Sequence, residues 1–380
     1  MSLFYGKAVK KYDKKLLKTI FLEALSSLGG IEKYVSKGDK VLLKVNMLMK
    51  KKPDEATTTH PVFVEALSEI LVEYGANVII GDSPGGPFSI KRLNPMYTTC
   101  GFRDASEKSG ASLMLNTDFK TVSFPSGISM KNITVIEELL IVDKVISISK
   151  LKSHQMMKYT GAVKNLFGVI PGTIKAEYHF NRPHLDDFAD SLTDICKFAN
   201  PVLSFMDGIL GMDGKGPSAG NIKNFDRIFI SDNPYALDYT VSKLLKTDPL
   251  SIPTIKSSLN KKYFDPNKIT NVGENLNTLI INDFDFPEIH SAAFIKNENH
   301  FLHFIQSHLL MAKPIFDTNL CIKCKDCMNN CPPGAIQMNS SGYPKVNLNK
   351  CIRCYCCQEL CPKKAVEVSR PPLSKFLSKL

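Results

Sequence analysis

Long uncharged runs are missing from this 380-residue chain. The best candidate, residues 134–149, is broken by Glu137, Glu138, Asp143 and Lys144, whereas a membrane-crossing helix needs about 18 apolar residues in succession. The chain start is charged almost at once and has no apolar stretch of leader-peptide length. A soluble, cytoplasmic protein with no membrane span is therefore expected. A dense basic tract is lacking too. The formal net charge is +11, but the lysines are dispersed and no aromatic platform is interleaved with them. We read a solvated basic surface and no nucleic-acid partner. A disulfide framework is the third absence: eight of the eleven cysteines fall into two tight motifs, which leaves Cys100, Cys196 and Cys356.

Those motifs are Cys321, Cys324, Cys327 and Cys331 followed by Pro332, and Cys351, Cys354, Cys357 and Cys361 followed by Pro362. The pattern C-x-x-C-x-x-C-x-x-x-C-P is thus written twice. Three cysteines at intervals of three fit a short loop wrapped round one corner of an iron–sulfur cubane, and the fourth has entered a helix and points away. Paired C-x-x-C elements also build zinc ribbons, but a zinc ion takes four ligands and would leave each triplet an awkward third cysteine. The flanks repeat as well. Residues 315–338 align without a gap to 345–368, matching Asn319 with Asn349, Ile322 with Ile352 and Lys323 with Arg353.

This segment resembles bacterial-type two-cluster ferredoxins. The resemblance implies two [4Fe-4S] clusters and one-electron transfer at low potential, with the fourth cysteine of each motif ligating the other cluster. It assigns Cys321, Cys324, Cys327 and Cys361 to the first cluster, and Cys351, Cys354, Cys357 and Cys331 to the second. Pro333 and Gly334 become Lys363 and Lys364 in the second copy, so the two surroundings should differ. Cys356 departs from the pattern and reads as a buried spectator thiol.

Upstream, short apolar runs alternate with amphipathic segments, the pattern of an α/β fold. We expect a mainly parallel open sheet with flanking helices, plus a small C-terminal α+β ferredoxin-like domain. The boundaries read as 1–285, a helical bridge 286–313 with an apolar stripe from Phe301 to Leu310, the cluster domain 314–369 and a tail 370–380. A helix is expected over 14–28, and another opens at His60-Pro61 and is closed by Gly75. Residues 177–187, where His179 and His184 flank Arg182, offer a histidine-plus-carboxylate group that could bind metal, but read rather as a polar connection.

Five expected strands run into polar residues: Lys44 and Asn46; Asp82; Lys150, Lys152 and His154; Asp207; and Asp232. In a parallel sheet all carboxyl ends lie on one edge, where ligands bind. An Asp after a strand is also a common helix cap, but the recurrence points to one cleft. Lys164 and Asn165, set among glycines and small residues, suit an anionic oxygen. The glycine-rich stretch 208–220 reads as a flexible lid. Its Gly214-x-Gly216-x-x-Ala219 matches a dinucleotide fingerprint only on paper, because Pro217 sits inside it and no apolar helix follows.

Lys44-x-Asn46, Thr59-His60-Pro61, Gly81-Asp82-Ser83-Pro84, Lys150-Leu151-Lys152-x-His154, Gly161-Ala162-Val163-Lys164-Asn165 and Asp207-Gly208 together resemble the family catalogued as domain of unknown function 362. Its members often carry a C-terminal ferredoxin module, and the family supplies no reaction. A fainter similarity to nickel-dependent lactate racemases transfers no residue. The expected activity is an oxidoreductase that takes single electrons from a soluble donor or acceptor protein. It passes them to an anionic small molecule, or a second cofactor, held at the strand ends. Lys164, His154 and Asp82 are the catalytic candidates, and Lys44, Asn46, Lys150, Lys152, Asn165, Asp207 and Asp232 the binding ones. The rivals are an electron carrier whose long domain docks a partner, and a metal- or cluster-handling protein.

Overall fold

The computed structural model describes residues 1–172, 174–182, 184–287 and 312–369. The expected helical bridge and tail lie, for the most part, outside the described residues. A nine-stranded sheet organises the first unit. Its strands are β1 (Ser2–Ala8), β2 (Lys40–Lys44), β3 (Asn77–Gly81), β4 (Ser112–Leu113), β7 (Lys144–His154), β8 (Lys158–Thr160), β9 (Leu203–Asp213), β10 (Asn221–Ser231) and β11 (Ile269–Asn271). A separate hairpin joins β5 (Phe119–Ser123) and β6 (Asn132–Ile136). The main order is β11-β1-β10-β9-β7-β2-β3-β4, with β8 hung on β7. All these strands run the same way except β10 and β8, so the mainly parallel sheet is present.

Alternation along β2 shows why both faces are covered. Val41 and Leu43 pack with Phe21 of α1 (Lys14–Ser27) and Phe63 and Leu67 of α2 (Pro61–Tyr74). Leu42 points the other way, into the group holding Phe188, Leu192 and Ile195 of α8 (Leu185–Ala199). Successive side chains on a strand face opposite sides, and helical crossovers between parallel strands put an apolar layer on each. The α2 caps match the expectation: His60 accepts from Val62 N, Pro61 opens the helix and Gly75 closes it at φ 106°.

Two expected cleft residues are corrected by topology. Because β10 is antiparallel, its carboxyl end lies opposite Ser204 at the start of β9, so Asp232 sits at the far edge. There it accepts from Leu3 N at 2.8 Å and ties down the amino end of β1. Asp207 does not end a strand at all. It lies inside β9 opposite Lys150, and the two form a fully buried ion pair at 2.8 Å. Tyr12 Oη donates to Asp207 at 2.8 Å, His60 N donates at 3.0 Å, and the Tyr12 and His60 rings stack at 3.6 Å. The glycine-rich stretch is likewise no lid. Its first half continues β9, and its turn is pinned where Ser153 Oγ donates to Gly214 O and accepts from Gly216 N.

In the second unit Lys313–Phe316 pairs antiparallel with Val366–Ser369, and Ile336–Met338 with Pro344–Val346. Each pair joins the opening strand of one copy of the repeat to the closing strand of the other. This unit rests on the β9–β10 turn: Ser218 Oγ donates to Glu359 O (2.9 Å), Gln358 Nε2 to Lys215 O (3.0 Å), and Lys215 pairs with Glu367 (2.7 Å).

Removing one partner of a buried ion pair strands the other charge. Asp207→Asn should therefore cost about 3–5 kcal/mol, read from urea unfolding. Lys150→Met combined with Asp207→Leu should recover most of that loss.

Candidate functional site

A cavity of about 300 Å³ opens where the carboxyl edge of the sheet meets the cysteine-bearing unit. Sequence and sheet together explain its walls. The β2 and β3 strands end at Lys44 and Gly81, which delivers Asn46 and Asp82 to the rim. Strand β7 runs well past them, carrying Lys152 and His154 to the cavity as part of the strand rather than in a loop after it. Lys164 and Asn165 arrive on the short helix α6 (Ala162–Asn165). Asp238 fixes that helix by accepting from Ala162 N and Val163 N at 2.7 and 3.0 Å. Only glycine at 161 leaves room for that carboxylate.

Lys44 lies beneath the floor, paired with Asp82 at 2.8 Å; Asp82 also accepts from Met47 N at 2.7 Å. Gly168 passes directly over this pair, where a Cβ would collide with both partners. Asn46 Nδ2 donates to Asn165 Oδ1 at 3.2 Å, and Asn165 Nδ2 donates to Lys44 O and Ser147 Oγ. Asn46, Asp82, Lys152, His154, Lys164 and Asn165 thus line one cavity, whereas Lys150 and Asp207 are not in its lining and Asp232 is at the other edge.

Electrostatically the lining is unbalanced. Lys152, Lys164 and Lys175 form no ion pair among the described residues. Lys152 donates to Thr57 O at 2.6 Å, and Lys175 donates to Ser83 O. Burial, reinforced by Lys164 and Lys150, pushes Lys152 down to about 7. Burial also pushes Lys175 to about 7, against the pull of Asp82, and lowers Lys164 against the pull of Glu359.

His154 Nδ1 accepts from Met156 N and Met157 N at 3.1 and 3.2 Å, which places the proton of the neutral ring on Nε2. That atom stands 2.9 Å from Glu359 Oε1, off the line of a good hydrogen bond. Burial, then Lys164, push His154 down to about 4, and burial does the same to His179. Burial alone would raise Glu359, but His154, Lys164 and His179 outweigh it and hold the carboxyl at about 2.

Sequence alone did not point to Glu359 or Lys175, and His179 was expected in a polar connection rather than at the cavity. Lys175 and His179 sit on α7 (Lys175–Asn181), much of which falls in the stretch read as a polar connection. The usable signal for Glu359 was its place in the repeat, where the first copy has Asn329.

The cysteines ring two smaller cavities beside this one. Cys321, Cys324, Cys327 and Cys361 line the first; Cys331, Cys351, Cys354 and Cys357 line the second, together with Cys356. The structure therefore brings the cysteines together across the two motifs. Among the described residues no three His, Cys, Asp or Glu side chains converge as a single metal ion requires, and rings of sulfur around a cavity suit a cubane. Both loops curl through paired left-handed residues, Lys323 and Lys325 in one, Arg353 and Tyr355 in the other. Ala335 N and Ala365 N donate to Cys331 Sγ and Cys361 Sγ at 3.2 Å, the kind of bond that stabilises a ligating thiolate. Cys331 and Cys356 also border the large cavity.

An α/β unit carrying a duplicated cysteine-ring module is an iron–sulfur electron-transfer protein. The comparisons agree: residues 320–365 match the 4Fe-4S dicluster domain. Residues 41–243 match the domain of unknown function DUF362, and the chain belongs to that family. It is 31% identical over 254 residues to a thylakoid-associated protein of Synechocystis sp., covering 65% of this chain and 75% of that one. Two solved structures are similar at lower levels. The lactate racemase apoprotein of Thermoanaerobacterium thermosaccharolyticum has a TM-score of 0.36 at 12% identity, over 60% of this chain and 53% of that one. A Thermotoga maritima protein has 0.31 at 13%, over 57% and 56%. The chain spans a little over half the length of each of these two structures. No described helix is long and apolar enough to cross a membrane.

With Nδ1 committed to two backbone donors, and burial and Lys164 opposing a second proton, His154 should stay neutral. Nitrogen-15 NMR of the histidines should show a protonated Nε2 that does not titrate between pH 8 and 5.5, because its pKa of about 4 lies below that window.

Proposed function

We propose that this chain is an oxidoreductase in which two [4Fe-4S] clusters exchange single electrons with an anionic small molecule held in the 300 Å³ cavity. The observation that carries the reading is the make-up of the walls. Lys152 lies buried there and Lys164 and Lys175 half-buried, all three without ion-pair partners among the described residues, and Cys331 and Cys356 border the same space. Buried ammonium groups are costly unless a counter-charge reaches them. With Asp82 matched to Lys44, Glu359 is the one carboxylate of the lining left to set against three lysines, and an anion is the missing partner.

In this reading the first ligand set is Cys321, Cys324, Cys327 and Cys361, and the second Cys351, Cys354, Cys357 and Cys331. When bound, such clusters supply or accept one electron at a time at low potential. The lysines hold the anion, and Asn46 and Asn165 orient it. Lys152 and Lys175, each at about 7, are poised to give a proton near neutrality, which general acid catalysis favours. Asp82 keeps its place as the partner of Lys44, and neutral His154 positions Glu359 at the wall. A carrier that only docks a partner has no need of an enclosed cation-lined cavity next to its cysteines, so the enzyme reading is favoured. We place the protein in the cytoplasm; a thylakoid-associated relative allows the same soluble protein at a membrane surface.

The chain purified without oxygen should release an anionic small molecule on denaturation, detected by mass spectrometry and lost from Lys164→Ala. If nothing is released and wild type and Lys164→Ala bind phosphate and carboxylate probes equally, the reading fails. Lysines with lowered pKa are charged below about 7 and neutral above it. Anion retention should accordingly weaken as pH rises from 6 to 8.5, with proton uptake on binding at the upper end.

Cys331→Ala, although in the first motif, should disturb the cluster whose other three ligands lie in the second. Iron should fall below about eight per chain, and one of two cubane signals in electron paramagnetic resonance should change while the other persists.

A further inference from the structure

The two cysteine loops are copies in sequence but not in surroundings. In the first loop Leu320 is 50% exposed and Ile322 56%, and Lys323, Cys324 and Lys325 are exposed with them. At matching positions of the second, Arg353 is 3% exposed and Tyr355 2%. Tyr355 Oη donates there to Ala312 O at 3.2 Å. The second ring turns toward the large cavity, with Cys331 and Cys356 common to both linings. The first ring faces outward.

Charge reinforces the asymmetry. Lys323, Lys325 and Lys363 line the first ring together with its four cysteines. Lys323 Nζ donates to Ser341 O and lies 4.3 Å from the centre of the Tyr343 ring. Asp326, the acid in that lining, lies in the field of Arg92 from the α/β unit. Asp317 nearby accepts from Asn319 N. The result is an exposed apolar rim beside three lysines, over thiols that reach the surface.

We propose that this face is the docking site for a small, acidic one-electron carrier protein, so that electrons enter at the first ring and leave by the second toward the cavity. Each encounter moves one electron: the carrier is oxidised by one, this chain is reduced by one, and no bond breaks. Positive charge around a redox centre steers an acidic partner and sets its orientation, while the apolar rim supplies the close contact. The inference stands apart from the identity of the anion, because its readout is reduction and binding at the cysteine unit.

The test uses the full, cluster-loaded chain and reduced flavodoxin as an acidic probe, with reduced methyl viologen as a small cationic control. Charge reversal by Lys323→Glu, Lys325→Glu and Lys363→Glu together should slow reduction by flavodoxin at least tenfold at low ionic strength. The difference should largely vanish at about 0.5 M salt, where such charges are screened. Calorimetric binding of oxidised flavodoxin should weaken in parallel. The viologen rate should hold or rise, and iron content should be unchanged. Ile322→Gln, which leaves every lysine in place, should weaken flavodoxin binding at all salt concentrations and serves if the charge reversals impair cluster loading. The proposal is overturned if both reductants slow alike or neither slows. It is also overturned if Lys10→Glu, Lys15→Glu and Lys37→Glu on the α/β surface slow flavodoxin equally, or if the exposed face proves to join two copies of this chain in solution.

Discussion

Burying an ammonium group without a carboxylate is the constraint from which the rest of this structure follows. Around one cavity Lys152 is buried and Lys164 and Lys175 half-buried with no ion-pair partner among the described residues, and the protein makes this tolerable in two ways. Backbone carbonyls accept from Lys152 and Lys175, and the cysteine rings bring negative charge to the wall once their thiols ligate metal as thiolates. The formal charge of +11 treats those thiols as neutral, so part of the apparent basic excess is the complement of a cofactor. The carboxylates that would have quenched the lysines are spent elsewhere: Asp82 on Lys44, Asp207 on Lys150, Asp238 on the amino end of α6.

The same constraint gives meaning to the differences between the two copies of the cysteine motif. Position by position, Asn329 becomes Glu359, Asn330 becomes Leu360 and Lys325 becomes Tyr355. Each second-copy residue is what an interior contact demands. Glu359 answers His154, Leu360 packs close to Gly85, and the Tyr355 ring is buried with its hydroxyl satisfied. The first copy keeps the lysines that solvent allows. A duplicated unit has thus been divided into an inward half and an outward half by a handful of side chains.

Much of the fold was legible because the sheet is built from short, strongly apolar runs separated by capped helices. The α1 and α2 limits, the strands ending at Lys44 and Gly81 and the cysteine module were all readable from period and caps. Two errors of strand-end reasoning have separate causes. The run Ile228-Phe229-Ile230 looks the same whichever way its strand points, so an antiparallel β10 sent Asp232 to the wrong edge. The polar residues after Ile148 and Phe205 look like strand ends, yet both strands continue because Lys150 and Asp207 neutralise each other in register. Strand-end reasoning is sound only where a polar residue has no cross-strand partner. The cavity members supplied by α7 and by the cysteine unit could not be placed there for another reason: nothing local in Lys175, His179 or Glu359 says that the chain will fold them against residues far away in sequence.

That long-range assembly also bears on why the cavity sits where it does. A doubly covered parallel sheet leaves its carboxyl edge open, and in most such folds loops alone close it. Here the edge is closed by a second unit, anchored through Ser218, Gln358 and Lys215 to a turn that Ser153 holds rigid. Because Ser153 lies between Lys152 and His154 on β7, one strand both supports the turn that seats the cysteine unit and presents the cation and imidazole facing it. Seating the cysteine unit and the lysine-bearing wall on a shared strand fixes their separation without relying on a mobile loop. Such rigidity suits stepwise one-electron chemistry, in which the distance between donor and acceptor has to be kept from one step to the next.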